Sequence, residues 1–125
     1  MRGVNMVILV GNATRDTELH HTQSGKAASN IRMATNRTAN GQEHTQFHTV
    51  VCWDTLAETT AKYVKKGRLI FVEGRLEYRT FQDNEGKERG AVEIIARDVQ
   101  FLGARGERGQ GATSTADVAL DEVVA

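Results

Sequence analysis

Thr45-Gln46-Phe47-His48-Thr49-Val50-Val51-Cys52-Trp53 reads as an extended strand, and the rest of the chain is arranged around it. Side chains alternate faces along a strand, so Phe47, Thr49, Val51 and Trp53 fall on one side and Gln46, His48, Val50 and Cys52 on the other. The two aromatics share a face. Six residues separate them, roughly 20 Å at the usual rise, which is too far for ring-on-ring packing and suits two separate flat platforms. Strands usually spend large aromatics on a core, so from this segment alone burial and exposure stay open.

At 125 residues the chain is one domain's worth, long enough for a real core. The apolar runs, such as Val7 to Val10, are far too short to span a membrane. Met1-Arg2-Gly3-Val4-Asn5 lacks the pattern of a secretory signal, and the single Cys52 permits no internal disulfide, which is compatible with a reducing cytoplasm. The net charge of zero hides an asymmetry. Residues 1–111 hold all 16 Lys and Arg against 13 Asp and Glu, whereas 112–125 hold no base and three acids, Asp117, Asp121 and Glu122.

Outward from the central strand, the pattern repeats. Val4 to Val10 predicts a first strand ended by Gly11-Asn12, and Ala13 to Lys26 a polar connection containing the turn signal Ser24-Gly25. Ala28 to Thr35 alternates as a second strand, and Asn40-Gly41 favours a tight turn joining it to the central, third strand. A helix follows over about Leu56 to Lys66, with Thr55 and Glu58 as a capping box, Leu56, Thr60, Tyr63 and Val64 inward, and Gly67 as the stop. Arg68 to Phe81 is long for one strand, so Gly74 predicts a bend or bulge. Asp83-Asn84-Glu85-Gly86 turns the chain into a last strand, Gly90 to Leu102. Five strands with one helix between the third and fourth is the order of a mainly β Greek-key barrel of the oligonucleotide-binding (OB) type, expected over residues 1–103. Residues 104–125 are too poor in apolar surface to fold and are expected to form a flexible, mildly acidic tail.

Catalysis and metal binding find no support. His44, His48 and Cys52 share a face of the third strand but lie about 13 Å apart in succession, whereas zinc ligands converge within about 2 Å of one ion. No Gly-rich phosphate loop, nucleophile elbow or Cys-x-x-Cys is present, so no enzyme, no metal and no cofactor is expected. Nucleic-acid binding fares better. Phe47, Trp53 and Phe81, with Tyr78 as a fourth ring, come from the third and fourth strands, and Arg2, Arg32, Arg37, Arg75 and Arg79 are interleaved with them. Aromatic stacking is worth about 1–3 kcal/mol per base and tolerates any base, while arginines collect phosphates. That inventory favours a single strand over a duplex, whose major groove calls for a helix bearing base-contacting side chains.

Asn5-Met6-Val7-Ile8-Leu9-Val10-Gly11-Asn12, Ile31-Arg32-Met33-Ala34-Thr35-Asn36, Thr45 to Val51, Leu56-Ala57-Glu58, Tyr63-Val64-Lys65-Lys66-Gly67 and Val72-Glu73-Gly74-Arg75-Leu76 together resemble the bacterial single-stranded DNA-binding protein family. The likeness runs from about residue 2 to 103. It implies a homotetramer of such barrels around which single-stranded DNA wraps during replication, recombination and repair, in the cytoplasm at the nucleoid. It also implies that Phe47, Trp53 and Phe81 stack bases, that His48 supports subunit assembly, and that Arg2, Arg75 and Arg79 lie near the DNA path.

Two departures stand out. Members often carry another stacking tryptophan soon after the Ala-Thr of the second strand, but Ala34-Thr35 is followed here by Asn36-Arg37-Thr38-Ala39, leaving Arg37 as a partial replacement. The family's usual acidic tail closes on a bulky aromatic that replication and repair proteins grip. This chain ends Asp117-Val118-Ala119-Leu120-Asp121-Glu122-Val123-Val124-Ala125, without that grip. The competing expectation is an OB-type adaptor, primosome-like, that holds proteins and touches nucleic acid weakly. An RNA-binding barrel also stays open, because stacking does not sense the 2′-hydroxyl.

Overall fold

The structure is a computed structural model and describes residues 2–102; the expected tail and the boundary at residue 103 lie outside the described residues. Six strands and one helix follow in the order β1 (Val7–Ala13), β2 (Leu19–His21), β3 (Ala27–Ala39), β4 (Gln42–Trp53), α1 (Asp54–Tyr63), β5 (Leu69–Gln82) and β6 (Glu88–Phe101). The strands order β1-β5-β6-β4-β3, and β1 returns to β3 through Asn12↔Ala34 and Ala13↔Met33, which closes a five-stranded barrel. β2 is an addition outside the ring, paired only to β3. Its three exposed residues carry no inward alternation, so nothing in their pattern distinguished them from a loop. The β4–β6 pairing is parallel and short, Val50↔Ile94 and Val51↔Ile95.

Two glycines make the closure possible. At Gly11 a Cβ would stand 2.2 Å from the Ala34 carbonyl oxygen, so only a residue without one lets β1 swing from β5 across to β3. Hence β1 does not end at Gly11-Asn12, as the turn-like dipeptide suggested, but runs through it to Ala13. At Gly74 a Cβ would stand 2.2 Å from the Ile95 carbonyl oxygen, and the β5–β6 register shifts between Glu73 and Gly74 as the bend requires. Asn40 and Gly41, with φ of 55° and 74°, form the expected tight turn.

The core is built from alternate residues of the strands, among them Ile31, Met33, Val50, Cys52, Ile70, Val72 and Ile94, closed at one end by Ala57 and Val64. α1 departs from its expected form. β4 runs directly into it, with Trp53 extended at the N-cap (φ −124°, ψ 154°) and without a side-chain cap, so Thr55 is already inside the first turn. Asp54 takes up the change of direction at φ 58°, a left-handed conformation that Asp tolerates better than most residues. The helix ends at Tyr63 because Val64 turns extended and buries itself, its carbonyl accepting the Thr17 amide at 3.0 Å. Lys65 and Lys66 therefore follow the helix rather than occupy its last turn. Ala57 and Thr60 face inward, whereas Tyr63 stays half exposed and meets Phe101 edge-on at 5.9 Å.

Beneath α1, Ser29 and Thr60 share a hydrogen bond of 2.7 Å beside the Cys52 thiol, all three fully buried. Satisfied polar groups in a closed core fix orientation, and this cluster ties α1 to β3 and β4. Burial pushes the Cys52 thiol up, so it stays protonated and inert.

Candidate nucleic-acid interface

With Ile31, Met33, Val50 and Cys52 turned inward, the alternation of β3 and β4 forces Ala28, Asn30, Arg32 and Ala34, and Phe47, Thr49, Val51 and Trp53, onto the outer face. The same face continues through Val51↔Ile95 onto β6 and, through Arg75↔Ile95, onto β5, where Arg75, Glu77, Arg79 and Phe81 alternate outward. Beyond Val50 and Ile94 the parallel strands stop pairing, so the distal parts of the β3–β4 and β5–β6 hairpins leave the same end of the barrel as two separate prongs. Phe47 rides on one and Phe81 on the other. Trp53 sits at the opposite end of β4, where the strand meets α1.

All three rings expected to stack are accessible on this face. Phe47 is 59% exposed and Phe81 41%, while Trp53 is half-buried. Each has a cation beside its ring: Arg32 at 5.9 Å from Phe47, Arg79 at 5.4 Å from Phe81, and Lys26 at 5.1 Å from Trp53. Arg32 is steadied by donating to Thr49 Oγ1 at 2.8 Å. Arg75 pairs with Glu77, and Arg79 with Glu93 at 3.1 Å. Near the turn Arg89 pairs with Asp83 at 2.8 Å and holds that carboxyl below the usual carboxylate range.

The remaining expected site residues lie elsewhere. Tyr78, 72% exposed, pairs with Val92 on the face opposite Phe81. Arg37 pairs with His44 on the face of the β3–β4 prong opposite Phe47, so it does not stand in the row of rings. Arg2 is exposed ahead of β1. His48 is half-buried on the barrel side, 2.9 Å from Thr35 Oγ1, and burial together with the nearby Arg32 lowers its pKa from the ordinary 6.5.

Sequence reasoning missed Lys26, whose signal was available: it precedes β3 by one residue and shares the alternation of Ala28, Asn30 and Arg32. It also missed Glu77 and Glu93, which alternation places on the arginine face. Among the described residues no group of three or more His, Cys, Asp or Glu could hold a metal ion, and no helix is long and apolar enough to cross a membrane.

Comparison with known proteins identifies the family and the fold. The Single-strand binding protein family matches residues 4–102. Single-stranded DNA-binding protein 1 of Chlorobaculum tepidum is 40% identical over 114 residues, covering 86% of this chain and 70% of its own. The single-stranded DNA-binding protein of Xanthomonas campestris pv. campestris is 40% identical over 111 residues, covering 85% of this chain and 64% of its own length. Among solved structures, a Plasmodium falciparum SSB complex with ssDNA superposes with a TM-score of 0.75 at 24% identity, over 82% of this chain and 98% of that one, which shows the shared fold. The chain belongs to the single-strand binding protein family.

Proposed function

We propose that the protein coats single-stranded DNA without sequence specificity, stacking bases on Phe47, Trp53 and Phe81 and holding phosphates with Arg32, Arg75, Arg79 and Arg2, as a non-catalytic part of replication, recombination and repair. The observation that carries this reading is the set of three accessible rings on one outer face, each with a cation beside it. Stacking on a ring's flat face accepts any base, and the cations supply the salt-sensitive component. Arg37 and Tyr78 face away from that row and would meet only a strand that wraps around a prong.

Assembly into a homotetramer is part of the proposal. Val4, Met6 and Ile8 are 90%, 60% and 55% exposed beside the first half of β1, which pairs with β5 on one edge only. An apolar stretch with an unpaired edge calls for a partner. His48, neutral and half-buried, fits a contact between subunits better than a charged one. Recruitment of other proteins by the chain's acidic end is not part of the proposal.

The test is a titration of matched thymidine, duplex and uridine oligomers at several salt concentrations, with light scattering for assembly. Tight binding of the single DNA strand, weakening steeply with salt, is the expected result. Micromolar or weaker affinity at physiological salt contradicts it and favours the adaptor reading.

A further inference from the structure

We propose that Lys26 is the phosphate partner of the Trp53 subsite, its ammonium resting over the indole in the free protein and moving to the DNA backbone when a base takes its place. The inference rests on the proposed function and adds to it a residue and a sequence of events. The ammonium lies 5.1 Å from the indole centroid, within cation–π range. The backbone of Lys26 is held at both ends of a tight turn, its amide donating to Thr22 Oγ1 at 3.1 Å and its carbonyl accepting the Thr22 amide at 2.9 Å. The side chain takes no part in those bonds, so it is free to swing from a fixed root. Among the described residues no carboxylate forms a salt bridge with it, in contrast to Arg79, which is paired to Glu93.

The surroundings favour one nucleotide. Trp53 stands directly opposite Ala28, and Ala28 opposite His20, so a row across three strands holds a large ring, a methyl group and an imidazole on one face. Ala28, itself buried, sets only a methyl group beside the indole and no competing ring. A base and a lysine cannot share the same ring face, and a phosphate is a stronger partner for an ammonium than an aromatic quadrupole is. The lysine then shields the apolar ring while the site is empty and collects the backbone once it is filled.

The experiment compares the full chain with Lys26→Met, which keeps the stem and removes the charge, and with Lys26→Arg. Thymidine oligomers are titrated from low to high salt while the emission of Trp53, the only tryptophan, is followed. Lys26→Met is expected to reduce the slope of log affinity against log salt by about 0.7 per occupied subsite, with Lys26→Arg restoring it. The emission of free Lys26→Met should differ from that of the free parent, and the two DNA-saturated spectra should coincide. An unchanged slope in Lys26→Met, or spectra that differ as much when saturated as when free, overturns the assignment of Lys26 and leaves DNA binding standing. Failure of the parent protein to bind any oligomer overturns both.

Discussion

The β3–β4 and β5–β6 hairpins leave the barrel from the same end and present rings and arginines on the same outer face, yet they treat their charges differently. On β3–β4, Arg32 is held by a threonine hydroxyl, and no salt bridge to it is formed among the described residues. On β5–β6, Arg75 and Arg79 each have a carboxylate partner in Glu77 and Glu93. A phosphate approaching the first meets an available cation, whereas on the second it must compete. The rings differ by position along the strands. Trp53 is half-buried where β4 joins the core, whereas Phe47 and Phe81 stand exposed on the two prongs. One hairpin is a prepared wall, and the other is an arm fixed at its root.

The root of that arm gives the largest expected effect. Gly74→Ala places a Cβ against the Ile95 carbonyl and should destabilise the protein by about 3 kcal/mol, read from urea unfolding. Gly90→Ala, with open space around it near the arm's far end, should change stability by less than about 0.5 kcal/mol. Equal effects would erase the distinction between root and tip. Next come the rings themselves. Trp53→Ala should weaken thymidine-oligomer binding toward the upper part of the range of about 1–3 kcal/mol per base, and Phe81→Ala toward the lower part, because a ring already held in place loses less freedom when a base stacks on it.

Charge competition can be reversed on the arm. Glu93→Gln frees Arg79 and should tighten binding modestly at low salt, a gain that vanishes at high salt. No such release is available to Arg32. At the foot of the wall, Asp54 holds a positive φ that glycine adopts freely. Relief of about 1–2 kcal/mol, offset by glycine's greater unfolded freedom and the lost helix-terminus charge, leaves Asp54→Gly stabilising by about 0.5 kcal/mol in thermal unfolding.

The smallest effect is one of pH. Because burial and Arg32 lower the folded pKa of His48, the unfolded chain binds more protons between that lowered value and 6.5. The contribution to stability is fully present above pH 6.5 and is lost as pH falls through that window. In His48→Gln this part of the pH dependence of the urea midpoint should disappear.

Much of this was legible in the residues. Strict alternation around Phe47 to Trp53, the Asn40-Gly41 turn and the break at Gly74 carried the strand order, because each has a local cause that tertiary contacts do not override. The helix boundaries were not legible. Thr55 and Glu58 form a good capping box in isolation, but β4 enters α1 without a loop, and the burial of Val64 ends the helix a turn before Gly67. Gly11-Asn12 looked like a terminus because its reason is a close approach to Ala34, a contact no local pattern reports. For the site, parity along a strand placed Phe47, Trp53, Arg75, Arg79 and Phe81 together, and the same parity, applied to Tyr78 and Arg37, puts both on the opposite face. The carboxylates that occupy Arg75 and Arg79 were hidden for a different reason. Glu93 belongs to another strand, and its partner depends on register.

The proposed stacking of bases on the outer face of β4 is reported by Trp53 without labelling, because no other tryptophan competes. Saturating the full-length protein with a thymidine oligomer at moderate salt should quench the indole emission in step with binding followed independently by anisotropy of a labelled strand. Tight binding by anisotropy with the emission unchanged would contradict it.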